Sequence, residues 1–507
     1  MSFAGQTVHS SLPLVASITP MAGSLLVYFA GLVNDRARNA VAIAIAALTL
    51  VLVLMMYPQV NAGLILEANY GEFLPPLGIS FRVDLLSFFL AGLSAFIWLL
   101  ATVYSLEYMQ GEHGTNRYYS FLTLTLAGAL GTFLAGDLFT LFLFFEFMSL
   151  PAYILVVHEE TDEAMRAGLK YLFMTIGGGL CFFFALVATY ELGGTVTLGQ
   201  VGLIKDVSLL SALAFVGYLI AFGMKAGMVP LHVWLSDAHP VAPSPASALL
   251  SGIMIKTGAY GLLRVIYGVY GPEFMARVNW PSFLLAAAAI TILLGSAVAI
   301  MQQDIKRRLA YSSIGQMGYI LLGMSLLTER ALTGDIFHIF AHAFMKACLF
   351  LAAGAVIKRT GKRLIADYAG IGFKMPVTMG CFTVAALTMV GIPPLNGFIS
   401  KWEIALGAFD AGKPLFAFLL VVSSLMNAVY YFPIIISAYF GRPAHDSLAT
   451  GHEGSGSAEA PRKWLEPSWG MLLPMLLLAA GCFAFVLFPN NWPFAVSAFV
   501  ARLLLHP

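Results

Sequence analysis

The sequence predicts an all-α polytopic membrane protein of about fourteen transmembrane helices, and three observations predict it. Hydrophobic residues make up 59% of the 507 and charged residues only 10%, with a mean hydropathy of +0.84; soluble domains carry about 25% charged residues. Apolar runs of about 20 residues, the length that crosses the hydrocarbon core, recur along the whole chain. Two of the later runs are interrupted by proline near a lysine, the pattern of backbone broken inside a membrane.

Composition also excludes several classes. A net charge of +1, with no basic run longer than Lys306, Arg307 and Arg308, gives nucleic acid no surface to bind. The cysteines Cys181, Cys348, Cys381 and Cys482 lie in separate apolar stretches without C-x-x-C spacing, so no iron–sulfur, zinc or disulfide framework is predicted. No G-x-x-x-x-G-K-[ST] or strand-bound G-x-G-x-x-G is present, so nucleotide and flavin sites are not expected. No cofactor is therefore assigned to this chain. The opening MSFAGQTVHSSLPLV lacks a basic n-region and a small-residue cleavage site, so its apolar run reads as a retained helix.

Taken in order, the segments fall at about 13–33, 39–61, 83–106, 117–135, 138–157, 165–190, 208–235, 243–268, 279–301, 308–327, 334–357, 376–409, 413–440 and 468–488. Placing the N-terminus outside puts fifteen Lys and Arg in inner loops and six in outer loops. An even number of helices then puts both termini on the outer side. The stretch HDSLATGHEGSGSAEAPRKW between the last two segments reads as a polar inner linker.

Six basic residues belong to neither set of loops: Lys170, Lys225, Lys256, Arg264, Lys346 and Lys401. Lys170 and Arg264 lie near enough to helix ends to snorkel. Lys225, Lys256 and Lys346 sit well inside apolar runs, where insertion of a charge costs about 2.5–3.5 kcal/mol. An acidic counterpart, Glu146, stands in the middle of LTLFLFFEFMSLPAYILVV. Charges of both signs at mid-membrane suggest an ion path.

The interrupted runs are AFGMKAGMVPLHVWLSDAHP, with Lys225 just ahead of Pro230, and MVGIPPLNGFISKWEIALGA, with Pro393 and Pro394 ahead of Lys401. They fall in the seventh and twelfth segments, five apart. Because five is odd, a repeat of that length must be inverted across the membrane, as in transporters whose ion sites lie at the breaks. In the eleventh segment, His338, His342 and Lys346 recur every four residues and share one face. A histidine pair bonded to neighbouring helices, a haem or metal pair, and a proton relay all fit this spacing. The relay is preferred because imidazole titrates near neutrality. In the eighth segment Lys256 and Tyr260 share a face.

Together LFTLFLFFEFMSLPAYIL, MKAGMVPLHVWLSDAHPVAPSPASALLSGIMIKTGAYGLLRV, DIKRRLAYSSIGQMGYI, FHIFAHAFMKACLFLAAG and GIPPLNGFISKW resemble the antiporter-like membrane subunits. Those are shared by respiratory complex I, Mrp-type multisubunit Na⁺/H⁺ antiporters and membrane-bound hydrogenases of the formate hydrogenlyase type. The resemblance covers about residues 80–440. It implies inverted five-helix repeats of helices 4–8 and 9–13, and hence units at 1–110, 111–270, 271–440, a loop at 441–467, and a last helix with a short tail at 468–507. Carried over, the family's proton-transfer positions fall on Glu146, Lys225, Lys256, His338, His342 and Lys401. Pro230, Pro393, Pro394, Lys346, Asp137, Lys170, His232 and Tyr260 are expected to support them. The lateral helix of the longest complex I member has no counterpart in WPFAVSAFVARLLLHP.

The resemblance implies protons entering from inside near the seventh and eighth segments, passing from Lys225 to Lys256, then His338 and His342, and leaving near Lys401. Glu146 would pair reversibly with Lys225. Partners are expected to be other membrane subunits including antiporter-like homologues, lipid, and peripheral redox subunits holding any iron–sulfur or nickel–iron centres. The competing readings are an Mrp-type exchanger moving Na⁺, an inorganic-carbon uptake subunit, a haem or quinone redox protein, and an inert scaffold. A bacterial or archaeal cytoplasmic membrane is the expected location.

Overall fold

The computed structural model describes residues 6–74, 77–441, 464–484 and 493–506. Every predicted segment contains helix, and all but the one at 376–409 are helical at their centre. The helices are α1 (Leu12–Val33), α2 (Asp35–Leu54), α3 (Leu85–Tyr108), α4 (Thr115–Leu134), α5 (Leu138–Val156), α6 (Asp162–Gly193), α7 (Leu209–Ala226) and α8 (Val233–Val241). There follow α9 (Ser244–Tyr270), α10 (Trp280–Met301), α11 (Ile305–Ser325), α12 (Glu329–Thr360), α13 (Pro376–Val390), α14 (Asn396–Asp410), α15 (Pro414–Phe440), α16 (Trp469–Ala484) and α17 (Phe494–Leu505). Ten of the described helices are long and apolar enough to cross a membrane. α4 and α11 have the length but carry more hydroxyl, amide and basic side chains, and the segments at 376–409 and 468–488 yield shorter helices.

Two predicted segments are split as their prolines require. α7 stops at Ala226 and α8 resumes at Val233, around Pro230. α13 stops at Val390 and α14 resumes at Asn396, around Pro393 and Pro394. Each upstream half ends on a glycine in the left-handed region, Gly227 at φ +74° and Gly391 at φ +89°, a conformation that a side chain disfavours.

Helix counting overlooked two features. A small sheet of β1 (Thr7–His9), β2 (Ile65–Leu74) and β3 (Leu77–Val83), parallel then antiparallel, fills what reads as a loop before α3. The eighth segment is also not uniform: Leu250–Met254 and Val265–Tyr270 are π-helical. Such wide turns misalign backbone groups and are frequent at functional sites.

α9 and α12 are enclosed on all sides, with every residue of their apolar windows buried, whereas only 28% and 33% of the windows that include α2 and α15 are buried. Large apolar side chains on the outer helices, such as Phe173, Leu180, Phe418 and Leu425, face outward, as lipid or a neighbouring subunit demands. The polar linker at 445–464 lies outside the described residues except for Trp464, which is exposed.

Candidate functional site

The intramembrane charges collect on or against the enclosed helices. Lys225, in the last turn of α7, is fully buried. Its ammonium donates to Ser149 Oγ at 2.6 Å and Tyr171 OH at 3.0 Å, and lies 5.4 Å from the centre of the Phe145 ring. An ammonium so removed from water needs such oxygen acceptors and ring faces. Trp234 of α8 packs at a tilt against Tyr171, ring centres 4.9 Å apart, and donates Nε1–H to the Met224 carbonyl at the end of α7.

Glu146 is one turn from Ser149 on α5, yet no ion pair within 4.0 Å joins it to Lys225 among the described residues, and its Oε1 is buried without a hydrogen bond. The carboxylate lies on the bare backbone of α6. A Cβ added at Gly179 would stand 2.6 Å from Glu146 Cδ, so only glycine leaves the carboxylate its place. The expected Glu146–Lys225 pair is therefore open in this conformation, with the lysine held by Ser149 and Tyr171 instead.

Lys256 stands two residues beyond the end of the first π-helical stretch and is buried. Its Nζ donates to the Ser251 carbonyl at 2.5 Å and lies 2.8 Å from His342 Nδ1 on α12. A turn of regular helix would direct the Ser251 carbonyl to the amide of residue 255; in the wide turn that amide donates to the Leu250 carbonyl instead. Gly258 brings α9 against the α7 terminus, where a Cβ would lie 2.5 Å from the Phe222 carbonyl oxygen.

His342 and His338 are both buried, their rings 5.8 Å apart and nearly parallel. His338 Nδ1 lies 2.8 Å from Ser400 Oγ, on the residue preceding Lys401. Tyr319 of α11 connects the same groups, stacking on His338 at 5.6 Å and lying 5.0 Å under the Lys401 ammonium. Lys401 reaches back across the second break to the Met389 and Val390 carbonyls at 2.7 and 3.0 Å and to Ser424 Oγ at 3.1 Å. The carbonyls that end α13 thus hold the cation, the preferred charge at a helix C-terminus.

The supporting residues divide. Lys346 joins the polar row, donating to the Leu309 carbonyl at 2.9 Å and to Ser312 Oγ. Pro230, Pro393 and Pro394 stand in the breaks. Tyr260 donates to the Phe133 carbonyl at 2.9 Å, with Arg264 over its ring. Arg264 does not snorkel: it forms a buried pair with Asp84 at 2.7 Å. Lys170 is paired with Asp237 near the helix end, and the half-buried His232 begins α8. Asp137 is a helix cap, accepting from the Thr140 amide at 2.7 Å and from the Ser80 hydroxyl, and lies apart from the lysine row.

Sequence reasoning missed Ser149, Tyr171, Ser400 and Tyr319, and read Ser251 only as a helix-packing serine. Ser149, one turn from Glu146, and Ser400, beside Lys401, were legible as local spacing; Tyr171, although next to Lys170, and Tyr319 carry no charge of their own to mark them. Among the described residues, no group of three or more His, Cys, Asp or Glu is placed to hold a metal ion.

Comparison with known proteins shows the family and the fold. A family described as "NADH:quinone oxidoreductase/Mrp antiporter, TM" matches residues 135–427, and one described as "NADH-Ubiquinone oxidoreductase (complex I), chain 5 N-terminus" matches 75–119. An NADH-quinone oxidoreductase subunit of Desulforudis audaxviator is 38% identical over 427 residues, covering 82% of this chain and 83% of that one. An Na⁺/H⁺ antiporter subunit of Alkalihalophilus pseudofirmus is 31% identical over 381 residues, covering 74% and 76%. A chain of the membrane-bound sulfane sulfur reductase, an archaeal respiratory membrane complex, superposes with a TM-score of 0.84 at 25% identity, covering 98% of both. By fold and by sequence the chain belongs to the transmembrane family shared by NADH:quinone oxidoreductases and Mrp antiporters.

Proposed function

We propose that this chain is a proton-translocating subunit of a multisubunit membrane complex, in which protons pass between the buried lysines and histidines at mid-membrane. The observation that carries the reading is the 2.8 Å contact between Lys256 Nζ and His342 Nδ1. At that distance the N–H bond of a protonated lysine can break as an N–H bond forms on imidazole, with no carrier between them. Ser400 and Tyr319 then connect His338 to the neighbourhood of Lys401. At the other end, Lys225 waits between two sets of partners, Ser149 and Tyr171 in one state and Glu146 in the other.

The reading includes two inverted repeats, residues 111–270 and 271–440, each with one broken helix and one buried lysine near the break. It also includes a cytoplasmic membrane location with both termini outside, supported by the basic inner loops. A potential of 100 mV stores about 2.3 kcal/mol per charge, close to two pKa units at about 1.4 kcal/mol each, so modest changes in lysine pairing suffice to move a proton. Coupling to redox subunits is favoured by the similarity to an NADH-quinone oxidoreductase subunit. A second reading, cation/proton exchange without redox partners, is favoured by the similarity to an Na⁺/H⁺ antiporter subunit.

Inverted vesicles carrying the intact complex test the proposal, with proton uptake followed by a pH-sensitive dye. Lys225→Ala and Glu146→Gln are expected to abolish uptake without loss of the subunit from the membrane; parental uptake in both would defeat it. Iron, nickel and acid-labile sulfide in the purified complex separate the two readings. Stoichiometric iron–sulfur supports redox coupling, and a metal-free assembly supports exchange.

A further inference from the structure

The polar row on α12 does not end at His338. One turn earlier on the same helix stands Asp335, wholly buried, with neither carboxyl oxygen engaged in a hydrogen bond. Residues three apart on a helix are neighbours, with Cβ atoms about 5–6 Å apart. His338 commits Nδ1 to Ser400 and leaves Nε2 buried without a partner. An unpaired imidazole nitrogen and an unpaired carboxyl therefore lie one turn from each other, in a region closed to bulk water.

The surroundings favour this juxtaposition. α11 runs antiparallel against α12, so Tyr319, stacked on His338, is followed one turn on by Gly323. A Cβ at Gly323 would lie 2.6 Å from Asp335 Cβ and 3.1 Å from its Cγ, so only glycine there admits the aspartate. From α9, Tyr267 closes this level of the fold, its hydroxyl spent on the Met324 carbonyl at 2.7 Å. From α14, Glu403 packs on the adjacent Gly334. Among the described residues no cation from these helices pairs with Asp335, so it does not serve as a structural counter-ion. It lies six residues into α12, about 9 Å from the helix start, at the end remote from Lys358 and Arg359.

We propose that Asp335 is a proton-carrying carboxyl that takes the proton from His338 and passes it to the face where α12 begins, making the exit along α12 in place of the one expected near Lys401. The N–H bond at His338 Nε2 breaks and an O–H bond forms on the carboxylate, directly or through one water. That O–H bond then breaks as the proton leaves to water at the helix start, restoring neutral imidazole and carboxylate. The inference rests on the proton-moving function proposed above.

The test compares Asp335→Asn and Asp335→Leu with Lys225→Ala in vesicles carrying the intact complex. Removing a buried group that has no partner should leave assembly unharmed or improved, unlike removal of one member of a pair. Both Asp335 variants are expected to assemble and to lose at least about tenfold in proton uptake, with Asp335→Glu restoring part of it. In infrared difference spectra, a carboxyl C=O band sensitive to H₂O/D₂O exchange should be present in the parent and absent from Asp335→Asn. Parental uptake in the Asp335 variants alongside loss in Lys225→Ala overturns this inference and leaves the function standing. Parental uptake in all three removes both, and failure of both Asp335 variants to assemble makes the residue structural and overturns the inference.

Discussion

Lys256 Nζ and His342 Nδ1 are 2.8 Å apart and join α9 to α12, the two helices enclosed on every side. The lysine is aimed by the Ser251 carbonyl, whose regular helical partner, the Ile255 amide, donates to the Leu250 carbonyl in the π-helical turn at Leu250–Met254. The contact thus follows from backbone irregularity as well as from two side chains.

In the proposed proton path these two residues form one unit, so they should fail together. Lys256→Ala and His342→Ala are each expected to lower the initial rate of proton uptake by about 10²-fold. The double variant should be little worse than either single one, since interacting residues are not additive. Full multiplication of the two losses would assign the residues to separate paths.

Glu146 can be tested without changing a titratable group. Gly179→Ala sets a methyl where Glu146 Cδ is only 2.6 Å away, and the backbone of α6 cannot retreat from it. The carboxylate must leave its position between α5 and α6. Proton uptake should fall toward that of Glu146→Gln, while Gly177→Ala, with open space around its Cβ, should behave as the parent.

How much of this was legible in the sequence depended on the kind of interaction. Hydropathy and proline alone locate the segments and both breaks, because twenty apolar residues and a missing amide donor have no soluble alternative. The charged members were also legible, since a lysine inside an apolar run has a cost that something must offset. What holds each lysine was not. The Met389 and Val390 carbonyls around Lys401, and the Ser251 carbonyl beside Lys256, belong to backbone whose release depends on local helix geometry. A carboxylate ahead of an apolar helix reads equally as cap or carrier, and the bonds from Thr140 and Ser80 show Asp137 capping α5. Arg264 looked free to snorkel because its partner Asp84 is distant in sequence.

The loop after α5 should give the protein an acid limit of its own. His158 is buried there, stacked at 5.1 Å on His113, and burial, with Arg117 and His113 beside it, pushes its imidazole down to about 4. The unfolded chain binds this proton near 6.5, so the stabilisation is intact above that pH and is lost progressively as pH falls toward 4. The thermal midpoint of the purified complex should decline across that window. His158→Phe, which keeps the ring contacts and cannot take up a proton, should flatten the decline.

The Asp84–Arg264 pair offers a test of whether buried charge in this fold serves stability or chemistry. Both side chains are largely buried, and the guanidinium makes two contacts to the carboxylate, at 2.7 and 2.8 Å, with Ser87 Oγ completing its shell at 2.8 Å. Removing one member strands the other away from water, at a typical cost of about 3–5 kcal/mol, whereas replacing both by apolar groups is often neutral, so Asp84→Ala alone should destabilise by roughly that amount. Asp84→Leu combined with Arg264→Met should recover most of the loss in thermal unfolding of the complex in detergent. If the recovered double variant also moves protons at the parental rate, the pair is structural. If it is stable but inactive, the row that runs from Lys256 past Tyr260 to Arg264 carries charge as well.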